Sequence, residues 1–168
     1  MIKVFETTKI STNPDEIKAS QIYTGVIVQG ETIRAEDETL EEWSNFRNTN
    51  CIVDELIECN IDDKIIVSYG GDDLATTELS IDSIVLTTDY ETLTEKRADE
   101  IKIGDNLVDA NFYDNYNKRD SDIELYAVFI QNVEHVTGKF KGYEIHLSES
   151  DSQWYGIYAD NLFCKNLI

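Results

Sequence analysis

Alternation of apolar and polar residues with a period of two recurs along this chain, and it confines the fold to one built from half-buried strands. Leu79-Ser80-Ile81-Asp82-Ser83-Ile84 alternates in this way, and so do Tyr143, Ile145 and Leu147. Lys64-Ile65-Ile66-Val67-Ser68-Tyr69 is a β-branched run closed by Gly70-Gly71-Asp72-Asp73, a hairpin-like turn. Ile123-Glu124-Leu125-Tyr126 alternates and then passes into the continuous apolar run Ala127-Val128-Phe129-Ile130, a mark of deeper burial. One segment, about 37–47, reads as a helix. Asp37 can cap it, Glu38, Glu41 and Glu42 suit the positive end of its dipole, and Leu40, Trp43 and Phe46 (or the stem of Arg47) share a face. That stripe is narrow, so the helix is expected to lie across a sheet edge within an insertion over about 31–60. Ile52-Val53-Asp54-Glu55-Leu56-Ile57 fits either a strand or a short helix. Asn111 to Asp122, polar and rich in Asn, Asp and Tyr, reads as a loop.

With 168 residues and 41% hydrophobic side chains, the chain is expected to form one domain, 1–168, around a substantial core. Its formal charge of −20, from 34 acidic and 14 basic side chains, opposes direct contact with nucleic acid or an anionic membrane. Two readings of that charge remain: a highly soluble surface, or imitation of nucleic acid to occupy a basic groove. Met1-Ile2-Lys3-Val4-Phe5-Glu6 lacks the apolar segment of a secretory signal, and no apolar run reaches the roughly 18 residues of a membrane span. Cys51, Cys59 and Cys164 are odd in number and show no C-x-x-C spacing. They read as reduced thiols of an intracellular protein.

A short motif occurs twice. Ala19-Ser20-Gln21-Ile22-Tyr23-Thr24-Gly25 and Ala98-Asp99-Glu100-Ile101-Lys102-Ile103-Gly104 share A-x-x-I-x-x-G at an offset of 79, with Thr8 and Thr87 upstream at the same offset. Ala and Ile would anchor a short turn on the core, and Gly would let the chain bend before the next strand. Duplication and chance similarity in an Ile-rich chain both fit the motif.

Three blocks of the sequence resemble those of the Hint domain, the fold shared by inteins and hedgehog autoprocessing domains. Together they span nearly the whole chain except about 31–60. The first is Phe5-Glu6-Thr7-Thr8-Lys9-Ile10 with Ile17-Lys18-Ala19. In the family a Cys or Ser nucleophile precedes a Thr of this block by about five residues, and here that place holds Ile2 or Lys3, neither of which attacks a carbonyl. The second is Thr87-Thr88-Asp89-Tyr90, followed by Ala98 to Asp105. It is similar to the T-x-x-H block, with Thr87 retained and Tyr90 in the place of the His that polarises the scissile peptide. A phenol is a poor proton shuttle near neutrality. The third runs from Gly142-Tyr143-Glu144-Ile145-His146-Leu147 through Trp154-Tyr155-Gly156-Ile157-Tyr158 to Leu162-Phe163-Cys164-Lys165-Asn166. Asn166 stands where the family's cyclising Asn lies, Lys165 where its assisting His lies, and Leu167 where the acyl acceptor would be. The resemblance implies an all-β, pseudo-twofold Hint-like fold with one inserted helix. It also implies remnant positions Thr87, Tyr90, Lys165 and Asn166 in place of a working catalytic set. In inteins that carry an endonuclease, the insertion falls in the region of Asn111 to Asp122; about a dozen residues there leave no room for a nuclease.

No other constellation implies a metal or cofactor, and neither is expected. His135 and His146 are isolated histidines on strands, Asp120-Ser121-Asp122-Ile123-Glu124 lacks the glycine and spacing of a calcium loop, and Gly70-Gly71-Asp72-Asp73 opens no phosphate-binding helix. Trp154, Tyr155 and Tyr158 fill the core or offer a protein-binding patch. The expected role is a non-catalytic binding or structural module with a protein partner. Composition and length suit a bacteriophage accessory or virion protein. Two alternatives stand beside it: an acidic nucleic-acid mimic drawing on Glu31–Glu42 and Asp114–Glu124, and residual autoprocessing at Asn166.

Overall fold

A computed structural model of the chain describes residues 1–12, 16–25, 27–33, 47–90, 92–109, 127–148, 154–160 and 162–165. Among these the architecture is all-β, as the period-two pattern implies. The strands are β1 (Ile2–Phe5), β2 (Lys9–Ser11), β3 (Glu16–Lys18), β4 (Ile27–Ile33), β5 (Arg47–Tyr69), β6 (Ala75–Leu79) and β7 (Ile84–Thr88). They continue as β8 (Leu93–Arg97), β9 (Asn106–Leu107), β10 (Val128–Phe129), β11 (Asn132–Leu147), β12 (Trp154–Ala159) and β13 (Leu162–Lys165). The pairing path is β1-β11-β5-β4-β12-β13-β7-β9-β10, with β2, β3, β6 and β8 attached at its sides. The predicted helix at about 37–47 lies outside the described residues but for Arg47, which opens β5. The loop Asn111–Asp122 also lies outside them. Within the expected insertion at about 31–60, the described parts belong to the sheet: β4 and β5 pair from Ile27↔Ile52 to Thr32↔Arg47. Ile52 to Ile57 is therefore strand.

The Ala-Ile-Gly repeat marks two copies of one substructure. Ala19–Gln21 and Ala98–Glu100 are both single 3₁₀ turns, each entered from extended backbone. Ala19 and Ala98 are fully buried, and Ile22 and Ile101 nearly so. Gly25 and Gly104 adopt φ of +92° and +95°, a region closed to most side chains. Hydrogen bonds match pair by pair. Ala19 N–H donates to Thr8 O at 2.8 Å and Ala98 N–H to Ser83 O at 2.9 Å; Gly25 N–H reaches Val53 O at 2.7 Å and Gly104 N–H reaches Ile130 O at 2.9 Å. Upstream, Thr8 N–H closes a turn on Phe5 O, and Ser83 N–H closes the same turn on Ser80 O, both at 3.0 Å. The partner of Thr8 is thus Ser83, four residues before the Thr87 that the constant offset picks out. The β7–β8 hairpin is longer than β2–β3 by that amount.

The two units hold each other by exchanging strands. After pairing with β4, β5 runs on to pair with β6 of the second unit, from Ile65↔Leu79 to Tyr69↔Ala75. In return β11 pairs with β1 of the first, from Ile2↔Ile145 to Phe5↔Gly142. β5 and β11 also pair with each other along this whole length, from Val53↔Leu147 to Ser68↔Asn132. At about 3.3 Å per residue the 23 residues of β5 would span roughly 75 Å if straight, far beyond a domain of this size. The strand has to bend, and the β5–β11 register shifts between Val136 and Lys139, opposite Asp63. There Asp63 takes φ +57° and its Oδ1 accepts the Gly138 N–H at 3.0 Å. Lys64 then binds the crossing together, with Nζ 2.7 Å from Glu78 Oε1 and 4.2 Å from the centre of the Phe140 ring. Ile10, Leu107, Ile130, Ile145, Ile157 and Leu162 fill the shared core, each burial contributing about 1.5–3 kcal/mol.

Candidate functional site

Strand exchange brings three distant segments to one crevice. Its walls are Met1 to Lys3 from the start of β1, the turn Ser80–Ser83 between β6 and β7, and Cys164 of β13. Lys3 Nζ lies 3.2 Å from Asp82 Oδ2. Ser80 Oγ donates to Asp82 Oδ1 at 3.0 Å and shares a 2.7 Å hydrogen bond with Ser83 Oγ. With the Ser80 proton directed to Asp82, the Ser83 hydroxyl is the donor in that second bond. Burial pushes the Asp82 carboxyl up, but the hydrogen bonds from Ser80 and Lys3, with the Lys3 charge, outweigh it and hold the group below its ordinary value. Cys164 is 3% exposed. Burial, with the Asp160 charge adding to it, pushes its thiol up to about 12, so no thiolate forms near neutrality.

The open side of β1 meets β11, where register sets Glu144 opposite Lys3. His146, two residues along the same face, places Nε2 2.7 Å from Glu144 Oε1. Cys59, opposite Gly142, has its thiol raised by burial and by Glu144, with Lys3 acting the other way. Ser80, Asp82, Ser83 and the Glu144–His146 pair are the members of this constellation that sequence reasoning passed over. Aligning the two units on their turns, Phe5–Thr8 with Ser80–Ser83, would have found the first three.

Among the described remnant positions, Lys165 is not gathered with Thr87 and Tyr90. Thr87 lies opposite Leu107 and Thr94 and donates to Thr94 O at 3.2 Å. Tyr90 takes φ +71°; its N–H donates to Thr88 Oγ1 at 2.8 Å and its hydroxyl accepts the Ala127 N–H at 3.1 Å. Cys164 pairs with Val85 in antiparallel register, so Lys165 falls beside the start of β7 and Tyr90 beyond its end. Ile84 and Thr88 alone are about 13 Å apart along the strand. Asn166 and Leu167 lie outside the described residues. Trp154, Tyr155 and Tyr158 belong to β12, an interior strand that pairs with β4 at Trp154↔Ile33 and Tyr155↔Thr32 and with β13 at Tyr158↔Phe163.

A second polar meeting point lies at the β12–β13 turn. Asp160 takes φ +47°, accepts the Lys9 N–H on Oδ1 at 2.9 Å and donates its own N–H to Lys9 O at 2.7 Å. Burial raises its carboxyl, the Lys9 N–H opposes, and the charge of Glu78 adds to the rise. The Tyr69 hydroxyl, 2.9 Å from Thr77 Oγ1, approaches the Asp160 carbonyl at 3.5 Å. Among the described residues no three His, Cys, Asp or Glu side chains form a metal-holding group, and no helix is long and apolar enough to cross a membrane. Of the two acidic stretches, Asp114–Glu124 lies wholly outside the described residues, and of Glu31–Glu42 only the β4 end is described.

An all-β domain of two exchanged units, with Met1–Lys3 and Cys164 brought to one crevice, has the Hint fold of the inteins. A bacterial intein-like domain from Clostridium thermocellum is similar over 99% of both chains, with a TM-score of 0.66 at 16% identity. A DnaB intein from Synechocystis sp. PCC 6803 matches over 100% of both, with a TM-score of 0.61 at 13% identity. The gp41-1 intein matches over 98% of both, with a TM-score of 0.59 at 14% identity. At such identities the likeness is one of fold. No protein-family model matches the sequence, and no curated protein matches it.

Proposed function

We propose that this chain is a catalytically inert Hint-like domain acting as a binding or structural module for a protein partner. The composition suits a bacteriophage accessory or virion protein. The observation that carries the reading is the content of the crevice. Where the resemblance sets a nucleophile, Ile2 is a buried aliphatic side chain and Lys3 is held in an ion pair with Asp82. The neighbouring thiol, Cys164, is buried and neutral. The hydroxyls of Ser80 and Ser83 are bound to each other, and that of Ser80 to the Asp82 carboxylate, which is held below its ordinary value and is therefore a weak base. Acyl transfer needs an activated nucleophile at this place, and these groups supply none.

The test is to place the chain between two folded reporter proteins and follow the fusion by gel electrophoresis and mass spectrometry. The expected result is a single uncleaved fusion. A ligated pair of reporters, or release of either one at the domain boundary, would overturn the reading.

A further inference from the structure

The edge of β5 away from β11 is covered at its two ends and bare between them. β4 covers it from Arg47 to Ile52 and β6 from Ile65 to Tyr69. Both lie on that edge because β11 holds the other, pairing with Ile65–Ser68 and continuing to Ile52, whose C=O accepts the Ser148 N–H. Gly25 N–H extends the cover by one residue, to Val53 O. Beyond it, register sets the direction of each peptide group. Glu6 N–H donates to Lys141 O at 3.3 Å, in the register that puts Phe5 opposite Gly142. Lys141, Tyr143 and Ile145 therefore turn their N–H and C=O to β1, and Gly142, Glu144 and His146 turn theirs to β5. Cys59, Ile57 and Glu55 stand opposite those three. Leu56, Glu58, Asn60 and Asp62, which alternate with them, direct their peptide groups outward. Among the described residues no strand, turn or side chain reaches these outward groups.

The same stretch is acidic. Asp54, Glu55, Glu58, Asp62 and Asp63 follow one another with no Lys or Arg before Lys64, and the first four are exposed. Lys141 and Lys139 face them from β11, opposite Asn60 and Asp62. Lys141 pairs with Glu58 at 3.2 Å, but the two side chains are 48% and 64% exposed, and so solvated a pair gives way at little cost. Lys64 is committed to Glu78. Five carboxylates against two lysines leave the edge negative. Ile57, itself exposed, lies on the opposite face of the strand from Glu58. A second copy of the chain would bring like charges together across a shared edge, which disfavours that occupant.

We propose that the edge of β5 from Leu56 to Asp62 takes an extended, cationic segment of a partner protein as an antiparallel strand, with lysine or arginine opposite Glu58 and Asp62 and an apolar side chain opposite Ile57. Antiparallel is the sense of every strand already paired with β5. Main-chain hydrogen bonds supply affinity, and the carboxylates supply selection. The proposal rests on the reading of the chain as a binding module and uses no residue of the crevice walls near Lys3.

The test titrates the full chain, labelled with ¹⁵N, with the synthetic peptide Lys-Val-Thr-Val-Lys-Val-Thr, whose lysines fall opposite Asp62 and Glu58 and whose last valine falls opposite Ile57. Saturable amide shifts are expected, largest at Leu56, Glu58 and Asn60. Binding should be at least about tenfold tighter than that of the same peptide with Glu for each Lys. Methylating the backbone nitrogens of the central threonine and second lysine, which would face β5, is expected to weaken binding at least about tenfold; methylating those of the valines, which face away, should not. Glu58→Lys combined with Asp62→Lys, both at exposed positions, is expected to remove the charge preference while leaving the spectrum elsewhere unchanged. Equal binding of the cationic and acidic peptides, shifts centred elsewhere, no saturation, or equal losses from the two methylation patterns would overturn the proposal. Concentration-dependent shifts at these residues without peptide would also overturn it, because they would identify a second copy as the occupant. An intact fusion with a failed titration would leave the inert reading standing and remove only this one; a cleaved fusion with the expected titration would do the reverse.

Discussion

The two units of this domain agree where the backbone turns and part where side chains meet the crevice. Around Ala19 and Ala98 the 3₁₀ turn, the buried Ile and the left-handed Gly coincide, and the hydrogen bonds that seat them differ by no more than 0.2 Å. The tight turns upstream carry different contents. Thr8 spends its hydroxyl locally, accepting Phe5 N–H at 3.2 Å. The corresponding Ser83 joins Ser80, Asp82 and Lys3 in a network that links the two units. One unit thus keeps the turn as structure alone, and the other has turned the same backbone into a polar seam. The difference teaches that the duplicated part is the scaffold, on which the side chains of the two copies have diverged.

The strongest way to break the comparison is at the exchange itself. A Cβ on Gly142 would collide with Ile61 Cδ1 and stand 2.5 Å from Val4 O, with strand backbone on one side. Gly142→Ala is expected to lose about 3 kcal/mol in chemical denaturation, by forcing β1 off β11. A loss below about 0.5 kcal/mol would mean that the seam is loose. The symmetry is sharpened by Gly25→Ala and Gly104→Ala. Both sites are open to a methyl group, so each substitution tests only the positive φ. Equal losses of about 1 kcal/mol are expected, and a clear inequality in the same denaturation experiment would show that the copies bear different loads.

Smaller effects come from the polar seams, and their pH dependences have opposite signs. Asp82 is depressed in the folded state, so its stabilising contribution is present above its ordinary value of 3.8 and is lost as pH falls through the lower folded value. Lys3 and Asp82 are 33% and 40% exposed, and solvent screening keeps the deficit of Lys3→Met within about 1 kcal/mol at neutral pH. That deficit should vanish in acid. Asp160 is raised, so the folded state takes up its proton first. At neutral pH, Asp160→Asn keeps an acceptor for Lys9 N–H and tolerates φ +47° without burying a charge. It should therefore match the parent within about 0.5 kcal/mol. As pH falls through the raised folded value toward 3.8, the parent should gain stability on the variant. Thermal melts of both variants across this range, showing the same sign, would contradict the two assignments.

Much of the scaffold was legible in the residues because its signals are local. Alternation at Tyr143, Ile145 and Leu147 marks β11, the Ala-Ile-Gly motif marks both 3₁₀ turns, and the diglycine marks the end of β5; the alternating Leu79–Ile84, in contrast, is no strand, because Ser80–Ser83 close the tight turn that joins β6 to β7. The continuity of β5 through Ile52–Ile57 was hidden by its burial sequence, which loses alternation where Asp54 and Glu55 are both exposed. The crevice was harder to read for a physical reason. Its parts meet through pairings between residues 2–5 and 142–145 and between 85 and 164, which no local pattern encodes. The unequal hairpins then moved the apparent partner of Thr8 from Ser83 to Thr87, and the reading of the second block at Thr87–Tyr90 shared that offset.

The central claim, that the crevice holds no working nucleophile, is most directly tested by intact-mass measurement of the purified 168-residue chain after long incubation at neutral pH, with and without added thiol or hydroxylamine. The account predicts one unchanged mass in every sample, because a thiol pushed up to about 12, a Ser80 bound to Asp82 and a Ser83 bound to Ser80 form no ester for those reagents to cleave. Loss of Leu167-Ile168, or a reagent-dependent cleavage near Lys3 or Cys164, would contradict it.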